Sequence, residues 1–301
     1  MKIVIAGGTG LIGRALSAHF IAAGDEVSVL TRRRPGSPGL VEGAHRVVWD
    51  AVRLGDWTRC LDGADVVINL TGEGIADERW SDKRKTALVL SRVAPGRLLA
   101  DAVCGVGVPP ALFVQASGVG YYGTGSVARD ERSAVGNDFL ATLAREWEAS
   151  SVALPAVTRR IVARFAVVLA RDGGVLRRIV PPFRWLMGHT FGDGAQWFPW
   201  IHVDDAVSAI EHLAFETDVH GPVNIVAPEA ATNRDVAQAL GRTLRRPVWL
   251  HVPRKFLTTV LGEQATLVLD GQQVRPRVLE ENAFIFNFPG VELALLDLLR
   301  R

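Results

Sequence analysis

The amino-acid sequence predicts an α/β fold, a doubly wound parallel sheet with a smaller α+β C-terminal lobe. Three observations carry this reading. Short apolar runs alternate with helical patterns over about the first 165 residues, and parallel strands need crossover helices between them. A glycine cluster sits where the first apolar run meets the first helical pattern. After Asp172 the alternation gives way to a stretch rich in Gly, Pro and Trp.

The elements follow in order. Residues 2–6 are an apolar run that ends at glycines, as a strand buried on both faces should. Residues 11–23 have helical spacing, and Gly24-Asp25 stops that helix. Further strands are expected at 26–30, 46–49, 66–70, 111–116 and 160–165. Helices are expected at 83–103, with a bend or break at Pro95-Gly96, and at 139–151. Residues 172–200 show little periodicity. Beyond them a capped helix is expected at 201–215, a strand at 223–226, and helices at 232–245, 254–270 and 291–300. The expected division places a nucleotide-binding domain in 1–170, its sheet completed by about 201–226, and a smaller lobe in 171–200 and 227–301.

The first turn reads Gly7-Gly8-Thr9-Gly10-Leu11-Ile12-Gly13. One glycine makes the tight turn, one lets backbone approach a pyrophosphate, and one packs helix on strand. The helix end then offers free N–H groups to the anion. Strand before and helix after are the context this motif requires, so the domain reads as Rossmann-type. The second strand ends Thr31-Arg32-Arg33-Arg34. An NAD site usually carries a carboxylate here for the ribose 2′-hydroxyl. Guanidinium groups suit a 2′-phosphate instead. NADP(H) is therefore expected in preference to NAD(H), with Arg32 as the phosphate contact.

Composition narrows the classes further. The chain has 301 residues, 48% of them hydrophobic, enough for a substantial core. A net charge of +2 gives no electrostatic support for a nucleic-acid or membrane partner, and neither is expected. Cys60 and Cys104 are the only cysteines and make neither a disulfide framework nor a zinc site. No metal is expected. No leader pattern opens the sequence and no apolar run reaches the roughly 18 residues of a spanning helix. A cytoplasmic protein is expected, acting on a small-molecule substrate, with a homodimer possible.

Several motifs occur in order along the chain: Ala6-Gly-Gly-Thr-Gly-Leu-Ile-Gly13, Asn69-Leu-Thr-Gly-Glu-Gly-Ile75, Arg79-Trp80, Ser91-Arg92, Ser117-Gly-Val-Gly-Tyr-Tyr-Gly123, Trp197-Phe-Pro-Trp-Ile-His-Val-Asp-Asp205 and Gly221-Pro-Val-Asn-Ile-Val-Ala-Pro228. In this the chain resembles the uncharacterised epimerase family of the extended short-chain dehydrogenase/reductases, whose bacterial members are usually called sugar-nucleotide epimerases. The resemblance spans essentially the whole chain, including a domain of unknown function at about 250–298. It implies that Leu70, Thr71 and Gly72 line the cofactor near its adenosine half. It places Asp50 by the adenine, gives Arg92 a contact to the dinucleotide, and makes Ser117 the substrate-orienting serine.

The catalytic pattern departs from the class. Dehydrogenases of this type use Tyr-x-x-x-Lys, the lysine lowering the tyrosine pKa. Here Phe139 and Leu143 stand at those positions, and no lysine lies between Lys85 and Lys255. Tyr121 and Tyr122 are the only tyrosines. Either they supply a phenol to the substrate, with Arg79, Lys83 or Lys85 as the neighbouring cation, or they shape the pocket. His202 reads as an acid/base or, better, as part of a helix start. The Trp197–Trp200 cluster is core or pocket wall. Two functions follow: an NADP(H)-dependent oxidoreductase or epimerase on a small polar, possibly carbohydrate-derived substrate, or a non-catalytic NADP(H)-binding redox sensor or partner-binding protein.

Overall fold

The structure, a computed structural model, describes residues 1–32 and 39–300. Its first half runs β1 (Lys2–Ala6), α1 (Leu11–Ala22), β2 (Glu26–Thr31), β3 (His45–Val48), β4 (Val66–Asn69), α2 (Asp82–Cys104), β5 (Leu112–Gly118), β6 (Gly125–Arg129), α3 (Phe139–Ala149) and β7 (Arg159–Phe165). Then come β8 (Val167–Ala170), β9 (Gly173–Gly174), α4 (Leu176–Arg184), β10 (Gly188–Phe191), β11 (Trp200–His202), α5 (Val203–Phe215) and β12 (Gly221–Ile225). The last part holds α6 (Asn233–Leu244), β13 (Val248–Val252), α7 (Arg254–Leu261), α8 (Thr266–Leu269), β14 (Gln272–Val274), α9 (Arg277–Glu281) and α10 (Val291–Arg300).

Seven strands form one sheet in the order β12-β7-β5-β4-β1-β2-β3, every pair parallel. The chain winds outward from β1 through β2 and β3, then returns to β4 and builds in the other direction. That reversal leaves a crevice beyond the carboxyl ends of β1 and β4, the place where such sheets bind ligands. Ala6 is in register with both Leu30 and Asn69, so Gly7, Thr31 and Leu70 emerge from the sheet side by side.

Both faces of the sheet are buried. Ile3 and Ile5 pack with Leu16, Phe20 and Ile210 on the α1 and α5 side. Val4 and Ala6 pack with Trp57, Leu99 and Phe113 on the other. Alternate residues of β1 thus enter different cores, which is why the run is apolar throughout.

Besides the strands β8 and β11, which stand where no strand was expected, the structure departs from the sequence pattern in four places. Helix α2 runs unbroken through Pro95-Gly96. Both residues are buried, and a Cβ on Gly96 would strike Ser150 at the end of α3, so the missing side chain lets the two helices approach. The stretch 172–200 contains β9, α4 and β10, and α4 carries Pro181 and Pro182 within it, which hides its periodicity. The expected helix at 254–270 is interrupted at Gly262, whose φ of +61° ends α7. Finally, β10 pairs with β13 and β6 with β14, both parallel and far apart in sequence. No described helix is long and apolar enough to cross a membrane.

Candidate functional site

The crevice is built from backbone first. Gly7 has φ +80°, and a Cβ there would lie 2.7 Å from the Leu70 carbonyl oxygen, so the turn after β1 passes directly over the end of β4. A Cβ on Gly13 would lie 2.5 Å from the Gly8 Cα and 2.6 Å from the Gly7 oxygen, which seats α1 against its own turn. Gly10 precedes α1 without any side-chain cap, and the first turn holds no acidic residue. The first intrahelical bond runs from the Arg14 N–H to the Gly10 carbonyl at 3.0 Å. The N–H groups of Leu11, Ile12 and Gly13 therefore face outward at the positive end of the helix dipole. Gly13→Ala should weaken dinucleotide binding about ten- to a hundred-fold, since overpacking against backbone costs about 1–3 kcal/mol. Titration with NADPH checks this. Gly125→Ala, where a Cβ meets open space, should leave binding unchanged.

Thr31 closes β2, is buried, and accepts from the Trp49 N–H at 3.2 Å. Arg32 follows it, exposed. Arg33 and Arg34 lie outside the described residues. Asp50 is exposed. Its Oδ1 accepts from the backbone N–H groups of Val52 (2.8 Å) and Arg53 (2.9 Å), and these bonds hold its carboxyl below the usual range.

The wall opposite is the loop after β4. Asn69, wholly buried, donates to Gln115 Oε1 on β5 at 3.0 Å and accepts from the Thr71 N–H and hydroxyl. Two arginines of α2 hold the rest. Arg84 donates to Glu73 and to the Gly74 carbonyl, and Arg92 Nη2 to the Glu73 carbonyl at 2.8 Å. Arg92 is buried beneath Gly72 and over the Trp147 ring, so burial lowers its pKa to about 10. Its guanidinium faces the underside of the loop, and its Nε has no partner there among the described residues.

Two of the three residues expected to act on substrate, Ser117 and Tyr122, belong to one buried polar network. Ser117 donates to Glu148 Oε1 at 2.7 Å. Arg164 donates to both oxygens of Glu148, from Nε at 2.7 Å and Nη2 at 2.9 Å, and from Nη1 to the Tyr122 hydroxyl at 2.9 Å. Tyr122 in turn donates to Asn224 Oδ1 at 2.7 Å. Ser117, Tyr122 and Arg164 are each only 3% exposed. Burial pushes the Tyr122 phenol up to about 12, despite the opposing pull of Arg164. Burial also works against the charge of Arg164, but the bonds to Glu148 prevail and hold its pKa above the ordinary value.

Tyr121 differs from its neighbour. Its ring is half-buried, stacks on the Arg164 guanidinium with Cζ 3.5 Å from the centroid, and its hydroxyl has no hydrogen-bond partner among the described residues. The cation beside the tyrosines is thus Arg164. Lys85 lies over the Phe139 ring at 5.1 Å and pairs with Glu263 at 2.5 Å. Glu148 and Arg164 were not singled out from sequence, although an arginine inside the apolar run Ile161-Val-Ala-Arg-Phe-Ala166 was the available signal.

At the Tyr-x-x-x-Lys positions, Leu143 is buried and Phe139 packs edge-on against Trp80 at 5.1 Å. His202 has the contacts of a helix cap: Nδ1 accepts from the Asp204 N–H at 3.0 Å, and the ring stacks on Phe288 at 3.8 Å. Burial lowers its pKa against the pull of Asp204, Asp205 and Asp297. Trp200 is core, buried among residues of α6 and α10, with Phe198 packed beside it.

Known proteins resemble the chain along its whole length. The NAD dependent epimerase/dehydratase family matches residues 3–226, and a domain of unknown function, DUF1731, matches residues 252–298. The Homo sapiens epimerase family protein SDR39U1 is 36% identical over 303 residues, covering 99% of each chain. The Bacillus subtilis epimerase family protein YfhF is 32% identical over 302 residues, covering 99% of this chain and 98% of the relative. The crystal structure of human SDR39U1 (isoform 2) with NADPH superposes with a TM-score of 0.91 at 34% identity, covering 100% of both chains.

Proposed function

Since the chain belongs to the NAD dependent epimerase/dehydratase family, we propose that it binds NADP(H) in preference to NAD(H) and uses it as an oxidoreductase or epimerase on a small polar, carbohydrate-derived substrate. The observation that carries the reading is the pair formed by an uncapped α1 N-terminus and a β2 end that presents Thr31-Arg32 with no carboxylate. The glycine cradle fits a dinucleotide, because a Cβ at Gly7 or Gly13 would close it against backbone. The NADPH held by the human relative supports the same reading.

The N–H groups of Leu11, Ile12 and Gly13 would take the pyrophosphate. Gly10 leaves them accessible. Arg32 would take the 2′-phosphate, Asp50 would lie by the adenine through its second oxygen, and Leu70 to Gly72 would form the wall that Arg92 holds from beneath. When bound, the nicotinamide supplies hydride chemistry at C4. Among this chain's own groups, Tyr121 would move the substrate proton, its ring stacked on Arg164. Ser117 and Tyr122 would hold Arg164 and Glu148 in place, because their hydroxyls are already committed to that network.

Arg32→Ala should weaken NADPH binding about ten- to a hundred-fold, the worth of a charged hydrogen bond of about 1.5–3 kcal/mol, and change NADH binding less than two-fold. Calorimetry with both cofactors reads this, and equal losses would contradict the 2′-phosphate role. A second reading, a non-catalytic NADP(H) sensor, rests on the apolar Phe139 and Leu143 at the catalytic positions.

A further inference from the structure

Basic and apolar side chains are segregated onto one face of the C-terminal lobe. Between Asp172 and Asp193 the sequence has three arginines and no carboxylate; between Asp235 and Glu263 it has four arginines, a lysine and again no carboxylate. The fold makes these segments neighbours. Strand β10 pairs with β13, Trp249 Nε1 donates to the Leu186 carbonyl at 2.8 Å, and a Cβ on Gly188 would collide with the Pro247 carbonyl. Arg178, Arg242 and Arg254 are paired with Asp77, Glu292 and Asp270. Arg177, Arg184, Arg245 and Arg246 are exposed and pair with no carboxylate among the described residues.

Apolar groups stand between these charges. Trp185 is 78% and Trp249 66% exposed, with Leu186 and Met187 exposed beside them. Because the Trp249 N–H is satisfied by Leu186, its outward surface is a bare ring. A depression of about 320 Å³ runs along α4. Arg171, Arg177 and Arg184 line it above a floor of Leu176, Val180 and Leu298, with no carboxylate among its lining residues. Positions 177, 181, 184 and 185 fall on one side of α4, so the depression and Trp185 share a face.

We propose that this face docks on an anionic phospholipid surface. Arg171, Arg177 and Arg184 take headgroup phosphates, and Trp185, Leu186, Met187 and Trp249 enter the headgroup layer. Guanidinium pairs with phosphate in a bidentate fork, and indole rings favour the boundary between water and hydrocarbon. Charge complementarity selects this occupant over a second copy of the chain, because a two-fold contact through this face would set arginines against arginines. The net charge of +2 conceals the segregation, since the two basic segments themselves hold no acidic residue.

Co-sedimentation of the full chain with vesicles tests the proposal, at about 0.15 M salt, where surface charge is felt over roughly 8 Å. Binding is expected to vesicles containing phosphatidylglycerol and not to pure phosphatidylcholine, and it should fall as salt rises. The double variant Arg177→Ser/Arg184→Ser should lower the partition coefficient about 25-fold, at about five-fold per arginine. Trp185→Ser should lower it as well. Both variants remove exposed groups and should unfold at the wild-type temperature. Equal binding to both vesicles, no binding to either, or an unchanged partition for the double variant would overturn the proposal. So would release by millimolar inorganic phosphate at constant ionic strength, which would mark a small-anion site, or a stable dimer in sedimentation velocity that Trp185→Ser dissociates.

Discussion

Glu148→Ala is expected to destabilise the protein by about 3–5 kcal/mol, because it leaves the buried Arg164 cation without its carboxylate. The pair is tied into a network of side-chain hydrogen bonds. Glu148 receives Ser117 and two nitrogens of Arg164, and Arg164 reaches on to Tyr122 and Asn224 through the phenol. Removing the carboxylate leaves a buried charge, only 3% exposed, without its partner. The double variant Glu148→Ala/Arg164→Met removes the charge too, so it should be less destabilised than Glu148→Ala alone. Equilibrium urea unfolding of the two variants and the wild type reads both statements. A loss below about 1 kcal/mol for Glu148→Ala, or a double variant weaker than the single, would show that the network does not carry the weight assigned to it.

Tyr121→Phe is expected to lower turnover about a hundred-fold or more, the range of a lost general acid or base, while leaving NADPH affinity within two-fold. The assay follows NADPH oxidation across a panel of small ketones and oxidised sugar derivatives. Tyr122→Phe serves as the comparison. Its phenol is buried and bonded at both ends, so its removal should act first on stability. Unchanged turnover in Tyr121→Phe would remove Tyr121 as the proton-moving group. Tight cofactor binding with no turnover on any member of the panel would favour the sensor.

The parts legible in the sequence were those whose signal is local. Strands β1, β2, β4 and β5 read correctly because a strand buried on both faces is apolar at every position. The turn from β1 into α1 was legible because Gly13 acts on the backbone of Gly7 and Gly8, a few residues away, whereas the contact of Gly7 with Leu70 joins distant segments and was not. The polar network did not, since Ser117, Tyr122, Glu148, Arg164 and Asn224 come from segments scattered over more than a hundred residues. Only Arg164, a charge within an apolar strand, hinted at it. Tyr121 and Tyr122 are adjacent and chemically identical in sequence, yet one is committed and the other is not. That difference depends on Asn224 and Arg164, which no spacing connects to them. Helix α4 was hidden by Pro181 and Pro182, and the β10–β13 and β6–β14 pairs by their separation.

The central claim is an NADP(H) site at the crevice between β1 and β4. Calorimetric titration of the purified, nucleotide-stripped protein with NADPH, NADP, NADH and NAD tests it most directly. The account predicts tight binding of an NADP form, at least ten-fold tighter than the matching NAD form, about 1.4 kcal/mol. Binding of none of the four would contradict it.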